Sequence, residues 1–190
     1  YECNNWNVKM IIKRISKSLL VSSFALAFAS GGAMAENIIQ TGQWSYFADT
    51  VMGGVSKGTA IFESHGVDKA IRLTGEVSTA NNGGFIQVRS SGPWELEEGM
   101  TGIRLRVRGN GEQYYLHVRN SSTRLPWHYY QQGFEANSSW TEVELPFESF
   151  VKSSSFLRTS MNQDTIKTIG IVAYGKDYTA DISVMSFEFY

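Results

Sequence analysis

TGIRLRVRGNGEQYYLHVRN, Thr101 to Asn120, is the stretch on which the fold class turns. Ile103, Leu105 and Val107 alternate with Arg104, Arg106 and Arg108. That period of two sends apolar side chains to one face of a strand and charged ones to the other. Asn110-Gly111 follows, a dipeptide suited to a type I′ turn because both central residues need a positive φ. A two-residue loop there sets Val107 opposite Tyr114, Leu105 opposite Leu116 and Ile103 opposite Val118, so every apolar residue shares one face. The same register predicts Arg106 opposite Tyr115 and Arg104 opposite His117 on the other face.

Short runs of the same kind recur on both sides, separated by Gly, Asn and Ser, with no internal repeat and no long helical period. They predict strands over residues 43–48, 57–63, 70–77, 85–89, 127–132, 140–145, 168–174 and 181–189. About ten short strands with frequent turn signals indicate an all-β sandwich or barrel. Pro146 is expected to end its strand, because proline cannot donate to a central ladder. Phe147 and Phe150 are then expected beneath the sandwich, and residues 153–164 form a polar surface loop. Folds of this kind present ligands at loop ends or on a concave sheet face.

The first 35 residues read differently. Lys13, Arg14 and Lys17 precede an apolar run of 11 residues, Leu19 to Ala29, and Ser30 to Ala35 ends in Ala-Met-Ala. This is the layout of a secretory signal peptide over residues 10–35, preceded by a short extension over 1–9, and the apolar run is shorter than a bilayer span. The expected mature chain is a single domain of residues 36–190, periplasmic or secreted, with no stable membrane span. Without the four basic residues and one acidic residue of 1–35, 13 basic and 17 acidic residues remain, a net charge of −4. Such a surface gives no electrostatic reason to bind nucleic acid. The one cysteine, Cys3, lies in the extension, so the domain is expected to have neither a disulfide nor a thiolate.

No HExxH, GxSxG, GxGxxG or GxxxxGK[ST] pattern occurs, and the three histidines, His65, His117 and His128, are scattered. No catalytic residue, metal site or cofactor is expected. Three features point to binding instead. The row Arg104, Arg106 and Arg108, with Arg89 and Arg119 close in sequence, could clasp a carboxylate beside Tyr115 and His117. The alternative is a solubilising outer face with each arginine paired across strands. In LPWHYYQQGF, Leu125 to Phe134, alternation sends two of Trp127, His128, Tyr129 and Tyr130 to each face. Outward aromatic rings are a platform for sugars or for a partner's apolar side chains, unless a loop covers them.

The third feature is a pair of Gly-Gly segments, DTVMGGVSKG at Asp49–Gly58 and NNGGF at Asn81–Phe85. Both suggest bends, because Gly enters the left-handed region freely and Asn tolerates it. The two bends are expected to stack, with Asp49, Ser56, Asn81 and Asn82 bonding exposed backbone groups and Val51 and Met52 filling the core.

In order along the chain, DTVMGGVS, NNGGFIQVR, RVRGNGEQYYLHVR and ELPFESF resemble the complex I intermediate-associated protein 30 family. Its signature positions here are Asp49, Met52, Gly53, Gly54, Ser56, Asn81, Asn82, Gly83, Gly84 and Arg89. The resemblance implies a galactose-binding-like jelly roll and a chaperone-like assembly role without catalysis. It implies a protein partner, with a carbohydrate as the alternative. The expected binding residues are Arg104, Arg106, Tyr115, His117, Trp127, Tyr129 and Tyr130.

Overall fold

The computed structural model describes residues 36–94 and 96–190; Glu95, the expected leader and Cys3 lie outside them. In chain order the strands are β1 (Trp44–Ala48), β2 (Lys57–His65), β3 (Asp68–Val77), β4 (Phe85–Ser91), β5 (Gly102–Gly109), β6 (Glu112–Asn120), β7 (Tyr130–Ala136), β8 (Thr141–Pro146), β9 (Val151–Lys152), β10 (Ile166–Tyr174) and β11 (Tyr178–Phe189). Six form one antiparallel sheet in the order β1-β4-β10-β6-β7-β9, and five form a second in the order β2-β3-β11-β5-β8. The sheets face each other, and strands from both contribute to one hydrophobic core. This is an all-β sandwich, as the alternation predicts, of the jelly-roll kind that the family resemblance implies.

The hairpin over 101–120 does not form. β5 pairs with β11 and β8, whereas β6 pairs with β10 and β7. Val107 therefore lies opposite Val184 and Thr141, and Leu116 opposite Ile171 and Gln132. Alternation fixes which face a strand buries, not which strand it pairs with. Two strands on facing walls of a sandwich bury the same six residues as a hairpin would. Ile103, Leu105, Val107, Tyr114, Leu116 and Val118 are all fully buried.

Asn110-Gly111 accordingly carries the chain from one sheet to the other. Gly111 has φ 84°, but Asn110 is not among the residues with positive φ, so the turn is not type I′. The Asn110 side chain instead donates to the Thr179 carbonyl and accepts from the Tyr114 hydroxyl, tying the crossing to β11 and β6. Arg104 and Arg106 are thus separated from His117 and Tyr115 by the thickness of the sandwich. Their cross-strand neighbours are Glu144 and Glu188 for Arg104, and Glu142 and Ser186 for Arg106.

Phe147 and Phe150 are buried below the end of β8, as Pro146 suggests. Residues 153–164 form a loop anchored by buried Leu157 and Met161. Two further expectations fail. Val51 and Met52 do not enter the core but stand 73% and 66% exposed. The strand expected from Trp127 starts at Tyr130, because Leu125–His128 makes a turn closed by the His128 amide bonding the Leu125 carbonyl.

Candidate functional site: the outer face of the six-stranded sheet

Both Gly-Gly segments converge on one carboxylate. Asp49 is completely buried and accepts hydrogen bonds from the Ser56 amide and hydroxyl, the Gly84 amide (2.6 Å) and the Phe85 amide (3.3 Å). Burial alone would raise its pKa, but the bonds from Ser56, Gly84 and Phe85 outweigh that and hold it below the usual carboxylate range. A Cβ at Gly54 or Gly83 would collide with this carboxylate, so glycine is required at both positions. Gly53 ends the 3₁₀ turn Asp49–Met52 in the left-handed region at φ 91°, and Asn81 and Asn82 both have φ 58°. Ser56 also accepts the Ser78 amide. The bends therefore stack, with Asp49 and Ser56 making the bonds while Asn81 and Asn82 supply left-handed backbone.

This knot has an outward consequence. The 3₁₀ turn it fixes holds Val51 and Met52 at the edge of a cleft of about 610 Å³ on the outer face of the six-stranded sheet. Cross-strand register builds the floor. Ser45, Arg89, Gly170, His117 and Gln131 form one row, and Phe47, Gln87, Val172, Tyr115 and Gly133 the next. A Cβ at Gly170 would come within 3.0 Å of the Gln87 carboxamide oxygen, so glycine gives the Gln87 side chain its place on the floor. Trp127, 63% exposed, rises opposite Val51 and Met52, and Phe85 and Tyr174 complete the lining near the Asp49 knot.

The aromatic groups brace one another. The His117 ring stacks on Tyr129 with centroids 4.0 Å apart and planes 12° from parallel, and Tyr174 meets His117 edge-on at 5.9 Å. Burial pushes the His117 pKa down to about 4, so the imidazole is neutral at physiological pH. Its Nε2 is buried and has no hydrogen-bond partner among the described residues. Burial also pushes the Tyr129 hydroxyl up to about 12, with the Tyr174 hydroxyl beside it adding to the shift.

Two cations share this lining. The Arg89 guanidinium lies 4.1 Å above the Phe47 ring, and its pKa is lowered by burial and then by the charge of Arg119. Arg119 donates to the carbonyls of His128, Thr123 and Leu125, holding the turn that carries Trp127. Among the described lining residues there is no Asp or Glu.

The structure thus brings together Met52, Asn82, Gly83, Arg89, His117, Trp127 and Tyr129 in one cleft, with Tyr115 beside His117 on the same face. It removes three expected binding residues. Tyr130 points into the core and donates its hydroxyl to the Arg158 carbonyl, because it lies on the inward parity of β7. Arg104 and Arg106 lie on the other sheet, where Arg104 is paired with Glu144 at 2.7 Å and Glu142 at 3.2 Å. Sequence reading missed Phe47, Phe85, Gln87, Gly170 and Tyr174, and named Arg119 only as a neighbour of the Arg104–Arg108 row. Outward parity along β4 and β10 carries the signal for most of them, once it is known that these strands share a sheet. Among the described residues no group of three or more His, Cys, Asp or Glu is placed to hold a metal, and no helix is long and apolar enough to cross a membrane.

No curated protein matches the chain in sequence. Among solved structures it is similar to a family 11 carbohydrate-binding module from Clostridium thermocellum in complex with a β-1,3-1,4-mixed-linked tetrasaccharide, with a TM-score of 0.64 and 15% identity over 77% of this chain and 87% of that one. The family 11 module of the cellulosomal cellulase Lic26A-Cel5E from the same organism gives 0.63 and 14%, over 84% and 89% of the two chains. An exo-β-agarase contains a similar fold within a longer chain, with a TM-score of 0.55 and 8% identity over 77% of this chain and 22% of that one. At these identities the likeness establishes the jelly-roll fold. A family model described as complex I intermediate-associated protein 30 matches residues 34–183, in agreement with the four motifs quoted above. The chain belongs to the complex I intermediate-associated protein 30 family.

Proposed function

We propose that the protein is a non-catalytic binding module that holds an extended segment of a partner protein on the outer face of its six-stranded sheet. The observation that carries this reading is the cleft itself: exposed Val51, Met52 and Trp127 at its rim, aromatic walls, and two arginines at its base. Methionine, aromatic residues and arginine are the types enriched where proteins bind one another. An exposed apolar patch with a polar floor is a common mark of an interaction surface. The family description, association with an assembly intermediate, supports a protein partner and a chaperone-like role. Absence of catalysis accords with the lining, where His117 is neutral, stacked and without a carboxylate to orient it.

A carbohydrate ligand is the second reading. It is favoured by the Trp127 ring and the Tyr129–His117 stack, which present flat faces of the kind that sugars stack on. The family 11 module that this fold resembles is described in complex with a tetrasaccharide. Arrays of extended aromatic-aliphatic peptides and of glycans, probed side by side with the protein and its Trp127→Ala variant, separate the two. Peptide binding lost in the variant supports the first reading; glycan binding lost in the variant supports the second. We also propose that the site works outside the cytoplasm, on the strength of the signal-like layout of residues 10–35. N-terminal sequencing of protein from an envelope fraction, beginning at Glu36, is the expected result.

A further inference from the structure

The two arginines of the cleft indicate the charge of what it holds. Arg89 stands on β4 across from His117, and Arg119 lies two residues further along β6 with only β10 between them, so two strand spacings and two residues of rise separate their Cα atoms by roughly 12 Å. Partly burying two like charges this close is unfavourable unless an opposite charge accompanies them. Arg119 is met by three carbonyl oxygens and Arg89 by the face of Phe47, but neither forms an ion pair among the described residues. Glu36 lines a neighbouring recess that Arg89 also borders and makes no ion pair with it. Two arginines of the other sheet do have carboxylate partners: Arg72 is bound at 2.8 Å by Asp181 and at 3.0 Å by Glu63, and Arg104 at 2.7 Å by Glu144.

We propose that the occupant of the cleft is an acidic, extended peptide segment that places a carboxylate between Arg89 and Arg119 and apolar side chains against Val51, Met52 and Trp127. This deepens the peptide-binding reading and rests on it. Guanidinium groups match carboxylates geometrically and form short charge-assisted bonds with them. The apolar rim suits Leu, Phe or Met side chains, and the two guanidiniums select for charge, which a neutral sugar lacks. Residues 36–190 carry a net charge of −4, so the protein's overall field repels anions. Any preference for an acidic ligand must then come from a local site.

The test is fluorescence anisotropy with labelled extended peptides in which Phe and Leu alternate with Glu, Gln or Lys. Oligogalacturonate and a neutral mixed-linked β-glucan serve as competitors. The Glu peptide is expected to bind at least about ten-fold tighter than the Gln peptide, with the margin shrinking in high salt. Arg89→Gln removes the margin, Arg89→Lys keeps part of it, and Arg104→Gln on the opposite sheet leaves it intact. The margin and its salt dependence are read on the unaltered protein, so the test does not depend on a variant folding. Equal binding of Glu and Gln peptides overturns the acidic assignment while leaving the peptide-binding reading in place. No binding to any peptide overturns both. Oligogalacturonate displacing every peptide and binding tighter than all of them assigns the arginines to a sugar acid and overturns the peptide occupant.

Discussion

The two outer faces of this sandwich place their arginines differently: Arg72, Arg104, Arg106 and Arg108 stand on the five-stranded sheet, Arg89 and Arg119 on the six-stranded one. On the five-stranded sheet two of the four arginines are held by carboxylates, and Arg106 is in no ion pair among the described residues. Arg72 bridges Asp181 and Glu63, Arg104 pairs with Glu144 and Glu142, and Arg108 lies over Trp140 at 4.9 Å. On the six-stranded sheet Arg89 and Arg119 face a cleft without carboxylates, among apolar and aromatic groups. Arginines already paired keep a face soluble and have little left to offer a ligand. A face whose cations lack carboxylate partners and whose rim is apolar leaves more of its groups for the ligand proposed above. The arginine row most conspicuous in the sequence is therefore the less informative one.

That contrast can be broken most severely at the Asp49 knot, which supports the rim of the open face. Asp49→Ala orphans several buried donors and is expected to cost about 3–5 kcal/mol, measured by denaturant unfolding. Gly54→Val, which drives a side chain into the same carboxylate, is expected to destabilise comparably, with Gly53→Val a smaller loss through backbone strain. Because the folded Asp49 pKa is depressed, its contribution is complete above the ordinary aspartate value of about 3.9 and disappears as pH falls further.

His117 gives the next largest effect. The unfolded imidazole takes up a proton near pH 6.5, while the folded one does so only near 4. Between those values acid favours the unfolded chain, so stability should fall by up to about 3 kcal/mol from pH 7 to pH 4. His117→Phe should flatten this slope in a pH series of unfolding curves. Persistence of the slope would show that the ring is solvated and that the face is more open than the structure shows.

Trp127→Ala comes third. The side chain is mostly exposed, so stability should change by less than about 1 kcal/mol, while peptide binding weakens by about ten-fold or more. The smallest effect is expected on the five-stranded face, where Arg104→Gln removes a surface ion pair. Neither unfolding nor binding should change measurably.

Much of the core was legible from parity alone. Alternation in 101–120 identified six buried residues correctly even though the pairing inferred from it is not the one that forms. The reason is physical: a sandwich and a hairpin make the same demand on each strand's inward face. Pairing depends on residues far away, such as Val184 and Ile171, which no local signal names. Asn110-Gly111 misled because a chain crossing between sheets needs a tight bend as much as a hairpin does. The Gly-Gly segments were legible as stacked bends, but not as the mount for Val51 and Met52, since apolar residues beside a bend usually turn inward. Tyr130 and Trp127 differ only by where β7 starts, and a turn closed by the Leu125 carbonyl set that boundary.

The account rests on the six-stranded outer face being the binding face, and amide chemical-shift mapping with the glutamate-bearing peptide tests this most directly. Perturbations concentrated at Gly83, Gln87, His117 and Gly170 are predicted. Perturbations confined to Arg72, Arg104 and Glu144 on the opposite sheet would contradict it.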